Sequence, residues 1–388
     1  MSNVIIGGGY AGLFCAYQLS KDGINSSLYE KNEELGGLSR TFEKNGVKFD
    51  IGPHIYFNKD KEVTALWKQL LGENLVTRDR SNKIFYNGKY IHSPLKPFDA
   101  VSKLGLFTTT KVFLSFFYSK LFNKGYPTNS KEWVIQNFGE QLYQRFFKVY
   151  NEKIWGLPCE EITANWAGQR IKTSLFTMIK KSIVRDNNFI IKTFDYPIGG
   201  SQTLINAVES QLSTIGNCKL QKSATLVKVE VKDDIIVKLI FDVNGNTEVV
   251  HQPSNVISTI SLKDFINTLN INVPTDVKKS LSNLVFRDLI LVNLVCPNEE
   301  IMNFSEHWVD IHDPSVKALR VTNFGNYDCE MSAKNYSPIT LEYNCFATDE
   351  ITSMTDEEIY SLAISDLKKL KFIVNQNPKF DFSVVRLK

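Results

Sequence analysis

The residues best suited to chemistry stand at the very start of the chain. Gly7-Gly8-Gly9-Tyr10-Ala11-Gly12 is a Gly-x-Gly-x-x-Gly run directly after Asn3–Ile6 (NVII), and Glu30 lies eighteen residues beyond Gly12. Such a run suits a pyrophosphate. Gly7 permits a tight turn, Gly9 lets the backbone approach the phosphates, and Gly12 allows the following helix to pack closely on the strand. The helix N-terminus then offers free N–H groups and partial positive charge. An acid at the position of Glu30 can accept hydrogen bonds from ribose hydroxyls. A glycine-rich turn in another α/β fold would share the run, but not the strand, helix and acid around it. This much implies a dinucleotide and leaves open which one.

Other chemistry is sparse. The six cysteines are scattered without a Cys-x-x-Cys pair, which supports neither a metal centre nor a disulfide framework. His92, His251, His307 and His312 have no metal-ligand spacing, and no metal ligand is expected. His54, within Gly52-Pro53-His54, is either a proton-handling group or an ordinary polar side chain. Arg170 carries a planar fork that grips two phosphate oxygens, or else pairs on a helix surface with Glu160 or Glu161.

These residues need elements to position them. The apolar run Asn3–Ile6 predicts a buried strand, residues 11–21 a helix closed by Gly23, and Ser26–Glu30 a second strand, together a βαβ unit. Residues 62–181 have mostly helical periodicity, with Trp67, Leu70 and Leu71 on one face. Residues 220–241 alternate as a β-meander with an Asn244-Gly245 turn. Val256–Thr259 reads as a strand returning to the first sheet, residues 289–346 are strand-rich, 357–370 helical and 382–387 a strand. The expected fold class is α/β: a Rossmann-like dinucleotide-binding domain interleaved with a mostly helical domain and an antiparallel β-sheet substrate domain. The expected boundaries are a βαβ core over residues 1–60, continued by about 196–262, a helical domain over 61–195, and a β-rich substrate domain over 263–388.

Beyond the first run, Glu30-Lys31-Asn32 leads to Gly36-Gly37-Leu38-Ser39-Arg40-Thr41, and Phe49-Asp50-Ile51-Gly52-Pro53-His54 follows. In this form the N-terminal region resembles the amine-oxidase-like FAD superfamily, including protoporphyrinogen oxidases, monoamine oxidases, carotenoid desaturases and UDP-galactopyranose mutases. The resemblance implies FAD as cofactor. It assigns cofactor contacts to Gly7, Gly9, Gly12, Glu30, Gly37, Arg40, Pro53 and Val227. Three further stretches are similar to the mutase branch: Gly52-Pro53-His54-Ile55, Lys153-Ile154-Trp155-Gly156-Leu157-Pro158 with Trp166-Ala167-Gly168-Gln169-Arg170, and Tyr196-Pro197-Ile198-Gly199-Gly200. By that resemblance His54 adjusts with flavin redox state and Arg170 holds a substrate diphosphate, so these two are the expected catalytic residues. Two departures stand out. A second diphosphate-gripping arginine has only Arg287 and Arg320 as candidates, and the family's C-terminal glycine-arginine turn and flavin-facing helix are expected to be absent.

Composition narrows the classes. Lys and Arg number 45 against 42 acids, a formal charge of +3, without the basic stripe that nucleic acid requires. The longest apolar stretch, Val112–Tyr118, is far shorter than a bilayer span, although it could make an amphipathic contact with a membrane or partner. With no signal peptide at the N-terminus, a cytoplasmic location is expected. The expected partner is a small-molecule substrate, a nucleoside-diphosphate sugar on the mutase reading. The alternatives are an oxidase or dehydrogenase taking a hydride from an amine, porphyrinogen or polyene, and a non-catalytic flavoprotein.

Overall fold

Val4, Ile5 and Ile6 are almost completely buried, Ile5 under helices on one face and Val4 and Ile6 under a three-stranded antiparallel sheet on the other. In the computed structural model this strand, Asn3–Ile6, lies inside a four-stranded parallel sheet. Asn255–Ser258 pairs along one edge and Ser26–Tyr29 along the other, with Cys218–Gln221 outermost. The structure describes residues 2–57, 60–93, 105–123, 125–171, 192–302, 304–375 and 377–387, together with Leu175 and Thr177.

The chain divides into two compact units, Met1–Phe42 with Asn58–Val76 and Asp195–Val285, and Glu43–Phe57 with Thr77–Phe194 and Phe286–Lys388. In the first unit the helices Tyr10–Lys21 and Gln202–Ile215 close over the parallel sheet, burying Leu13, Ala16, Ile205, Val208 and Leu212 against Ile5 and Leu28. The expected meander is present as Ala224–Lys232, Ile235–Val243 and Asn246–His251, an antiparallel three-stranded sheet. Its second turn uses Asn244 and Gly245, both at positive φ as a tight hairpin demands. The expected returning strand pairs in parallel with the first, Val256 opposite Val4.

The second unit is built on a seven-stranded sheet in the order Asp381–Leu387, Asp288–Pro297, Tyr336–Cys345, Arg320–Asn323, Trp308–Ile311, Asn82–Tyr86, Lys89–His92. All neighbours are antiparallel except Trp308–Ile311 and Asn82–Tyr86. The helix Asp356–Lys369 covers the sheet with Ile359, Ala363 and Leu367, its start fixed by a Thr355/Glu358 capping box. A second core gathers Val112, Val134, Phe138, Tyr143 and Phe146 from the helical stretch. The helical expectation for residues 62–181 holds for Leu106–Phe122, Ser130–Phe138, Lys148–Trp155 and Ala164–Arg170. It fails at Asn82–Tyr86 and Lys89–His92. Their backbone groups are taken up by a sheet whose other strands come from more than two hundred residues away, which local periodicity does not register.

Candidate functional site

In the first unit the functional residues cluster at the carboxyl ends of the parallel strands, where open α/β sheets bind ligands. Gly7 follows Ile6 and Glu30 follows Tyr29. The Gly7 N–H donates to the Tyr29 carbonyl at 2.8 Å, and Thr259 Oγ1 donates to the carbonyls of Ile6 and Gly7. The turn is therefore tied on both sides. Gly12 is there for packing: a Cβ at this position would lie 1.9 Å from the Gly7 carbonyl oxygen.

Gly9 is different. It caps the helix Tyr10–Lys21 at φ −73° and ψ −178°, a conformation open to any residue. A Cβ there would have only the Gly37 Cα within 4.0 Å. Neither backbone conformation nor packing requires glycine at position 9. The bare backbone faces open space at a helix N-terminus whose first turn holds no acid, the arrangement that suits a pyrophosphate.

The second glycine pair closes the cradle. Gly36 N–H donates to the Gly8 carbonyl at 2.8 Å, and a parallel bridge joins Gly36 to Gly9. Glu30 is buried, and its carboxylate accepts from the N–H of Gly8 at 2.6 Å and from the backbone and side-chain nitrogens of Asn32 at 2.9 and 2.7 Å. These bonds fix the acid beside the turn. Arg40 Nε donates to the Gly37 carbonyl at 3.1 Å, and its guanidinium lies over the Phe42 ring. Val227 is half exposed at a register shift in its strand, three residues after Ala224, whose N–H donates to the Glu30 carbonyl at 2.8 Å. The fold thus brings Gly7, Gly9, Gly12, Glu30, Gly37 and Arg40 together and places Val227 on the strand that leaves Glu30.

The second unit holds Pro53 and His54, on the loop after the strand Val47–Asp50. It also holds a largely buried charge cluster around Arg320, one of the two arginines named as diphosphate candidates. Arg320 Nε donates to Asp310 at 3.0 Å, Nη1 to Glu342 at 3.4 Å and Nη2 to the Tyr150 hydroxyl at 3.2 Å. Tyr150 itself donates to Asp310 at 3.0 Å, as does Trp308 Nε1 at 3.1 Å, and Tyr150 stacks on His312 with centroids 4.4 Å apart. The two acids are driven apart. Burial would raise Asp310, but the Arg320 charge and hydrogen bond hold it below the usual carboxylate value. Burial raises Glu342 above the usual value, against the opposing charges of Arg320 and the nearby His54. Burial holds His312 down at about 4. In the sequence each acid stands alone within a largely apolar strand, Asp310 in Trp308–Ile311 and Glu342 in Tyr336–Cys345.

The remaining candidates separate. Arg320 is committed to two carboxylates. Arg287 donates to the carbonyls of Asn344 at 2.7 Å and Lys153 at 3.4 Å and lies 4.2 Å from the Phe346 ring centroid. Lys153 directs its ammonium at the carbonyls of Ile311, Asp313, Val316 and Ala318, which compensate a burial that pulls it down to about 8. Arg170 ends the helix Ala164–Arg170, and its side chain lies outside the described residues. Glu160, one of its sequence-level partners, pairs with Lys131 at 2.9 Å. Among the described residues no group of three or more His, Cys, Asp or Glu side chains is placed to hold a metal ion.

A family model described as an NAD(P)-binding Rossmann-like domain matches residues 5–70. Carotenoid 3,4-desaturase of Haloarcula japonica is 45% identical over 56 residues, which is 14% of this chain and 11% of that protein. The matched stretch is thus about a tenth of that curated relative. The solved structure of reduced UDP-galactopyranose mutase superposes with a TM-score of 0.84 at 18% identity, covering 100% of this chain and 83% of that one. The chain has the fold of that structure. An oxidoreductase from Methanosarcina mazei shares it, with a TM-score of 0.70 at 17% identity over 100% of this chain and 87% of that one.

Proposed function

We propose that this chain is an FAD-dependent enzyme whose substrate is a nucleoside-diphosphate sugar. The observation that carries the cofactor half is Gly9. A glycine that neither conformation nor packing explains, above open space at a helix N-terminus, is explained by a phosphate that must come close. In this reading Gly9, the first helical turn and the Gly36-Gly37 loop hold the pyrophosphate, while Glu30 accepts from the ribose. When bound, FAD supplies a flavin able to exchange electrons and, once reduced, to act as a nucleophile. The protein's own contribution is to bind, orient and exclude water. His54 lies near Glu342 and the cluster around Arg320, in the same unit.

The nucleotide-sugar half is supported by the likeness of the whole chain to the mutase structure and by the Trp-Ala-Gly-Gln-Arg stretch ending at Arg170. Calorimetry with UDP on flavin-loaded protein tests it. UDP is expected to bind, and Arg170→Ala to weaken it about tenfold or more, because a charged hydrogen-bonded pair is worth roughly 1.5–3 kcal/mol. A second reading, hydride transfer from an apolar substrate, draws on the likeness to a carotenoid desaturase, which is confined to 56 residues. If no nucleoside diphosphate binds, or if Arg170→Ala binds as well as wild type, that reading replaces the first.

A further inference from the structure

The helix Leu106–Phe122 in the second unit turns its apolar side the wrong way for a globular protein. Val112, Phe116 and Ser119 face inward and are buried. On the opposite side Phe107, Leu114, Phe117, Tyr118, Leu121 and Phe122 are each 59% to 74% exposed. At about 100° per residue, these six fall on one broad arc, with Lys111 just inside one border, between Tyr118 and Phe122, and Lys120 beyond the other. Lys111 lies over the Phe107 ring at 4.3 Å, its stem along the apolar surface and its charge at the edge. Six such side chains present on the order of 700 Å² of apolar surface, more than a monomer ordinarily leaves to water.

Charge selects the occupant. From Ala100 to Lys131 the sequence contains Lys103, Lys111, Lys120, Lys124 and Lys131 and no Asp or Glu. A second copy packed face to face would bring two lysine-bordered arcs together with no carboxylate from this stretch to pair them. An anionic bilayer accommodates both features, with acyl chains for the aromatic arc and headgroup phosphates for the lysines. Among the described residues no helix is long and apolar enough to cross a membrane, and this one has 17 residues. We propose that the helix Leu106–Phe122 docks the protein on an anionic membrane surface, lying in the plane of the interface with its aromatic arc in the lipid.

Flotation of the full chain with vesicles of phosphatidylcholine alone, or of phosphatidylcholine and phosphatidylglycerol at about seven to three, tests this. The protein is expected to float with the anionic vesicles at least tenfold more than with the neutral ones. The double variant Phe117→Glu/Leu121→Glu should stay in solution with unchanged circular dichroism, since both side chains already stand in water. Lys111→Gln/Lys120→Gln should lose the preference for anionic lipid, and raised salt should mimic that loss. Phe117→Cys carrying a polarity-sensitive dye should shift to the blue on vesicle addition. The proposal is overturned if wild type ignores anionic vesicles, or if the Glu double variant floats equally well. It is also overturned if sedimentation velocity shows a dimer that this variant dissociates while vesicles bind neither form, which would assign the face to a second copy.

Discussion

Replacing Gly9 with alanine should separate folding from cofactor binding in one substitution. At φ −73° the new residue is unstrained, and its Cβ would meet nothing nearer than the Gly37 Cα at 4.0 Å. Removing a glycine restricts the unfolded chain by about 0.4–1 kcal/mol, while alanine is a poorer N-cap than glycine by a similar amount, so the apoprotein should melt within about 2 °C of wild type. The same methyl stands in the open space above the helix N-terminus and holds a phosphate away from the first-turn N–H groups. Losing even one charge-assisted hydrogen bond costs roughly 1.5–3 kcal/mol, tenfold or more in FAD affinity. Gly12→Ala is the control. Its Cβ would lie 1.9 Å from the Gly7 carbonyl oxygen, so strand and helix must part by about an ångström, destabilising by on the order of 3 kcal/mol. The measurements are thermal unfolding of the apoprotein and visible flavin absorbance during titration with FAD. An apo Gly9→Ala protein destabilised as much as Gly12→Ala, or one that binds FAD undiminished, would refute the argument.

The other expectations concern fixed groups on the page. Glu30→Ala removes the acceptor of three hydrogen bonds at the turn and should weaken FAD by about 1–3 kcal/mol in the same titration; unchanged affinity would move the ribose contact elsewhere. Arg320→Met leaves Asp310 and Glu342 buried without their counter-ion and should cost about 3–5 kcal/mol in denaturant unfolding, with Arg320→Lys in between. His312 is held at about 4 by burial, below its ordinary 6.5. Its neutral form is favoured in the folded state, so its contribution is complete above pH 6.5. On the order of 3 kcal/mol is lost as pH falls from there toward 4. His312→Phe should flatten that limb of the stability profile, and an unaltered slope would show that other groups carry it.

The arrangement of the glycine turn and its acid was legible because its signal is local. Gly7, Gly9, Gly12, Glu30, Gly37 and Arg40 lie within thirty-four residues of chain, and a strand, a turn and a helix suffice to aim them. The meander, its Asn244-Gly245 turn and the returning strand were legible for the same reason: alternation and turn chemistry are short-range. The strand Asn82–Tyr86 was not, because its other partner, Trp308–Ile311, stands more than two hundred residues away; Lys89–His92 pairs locally with Asn82–Tyr86 across Asn87-Gly88, a short-range hairpin signal that the helical periodicity of the surrounding stretch overrode.

The amino-acid order alone determined where a phosphate can approach the backbone, since that depends on which residues lack a side chain and on the helix that follows them. The tertiary structure added the distances behind the different roles expected of Gly9 and Gly12, one above open space and one whose Cβ would lie 1.9 Å from the Gly7 carbonyl oxygen. Only it made a cluster of Tyr150, Asp310, Arg320 and Glu342, and pushed Glu342 up while holding Asp310 down. A carboxylate's proton affinity depends on the water it has lost and the charges it has met, and both are set by residues up to 160 positions away that the fold brings within hydrogen-bond reach.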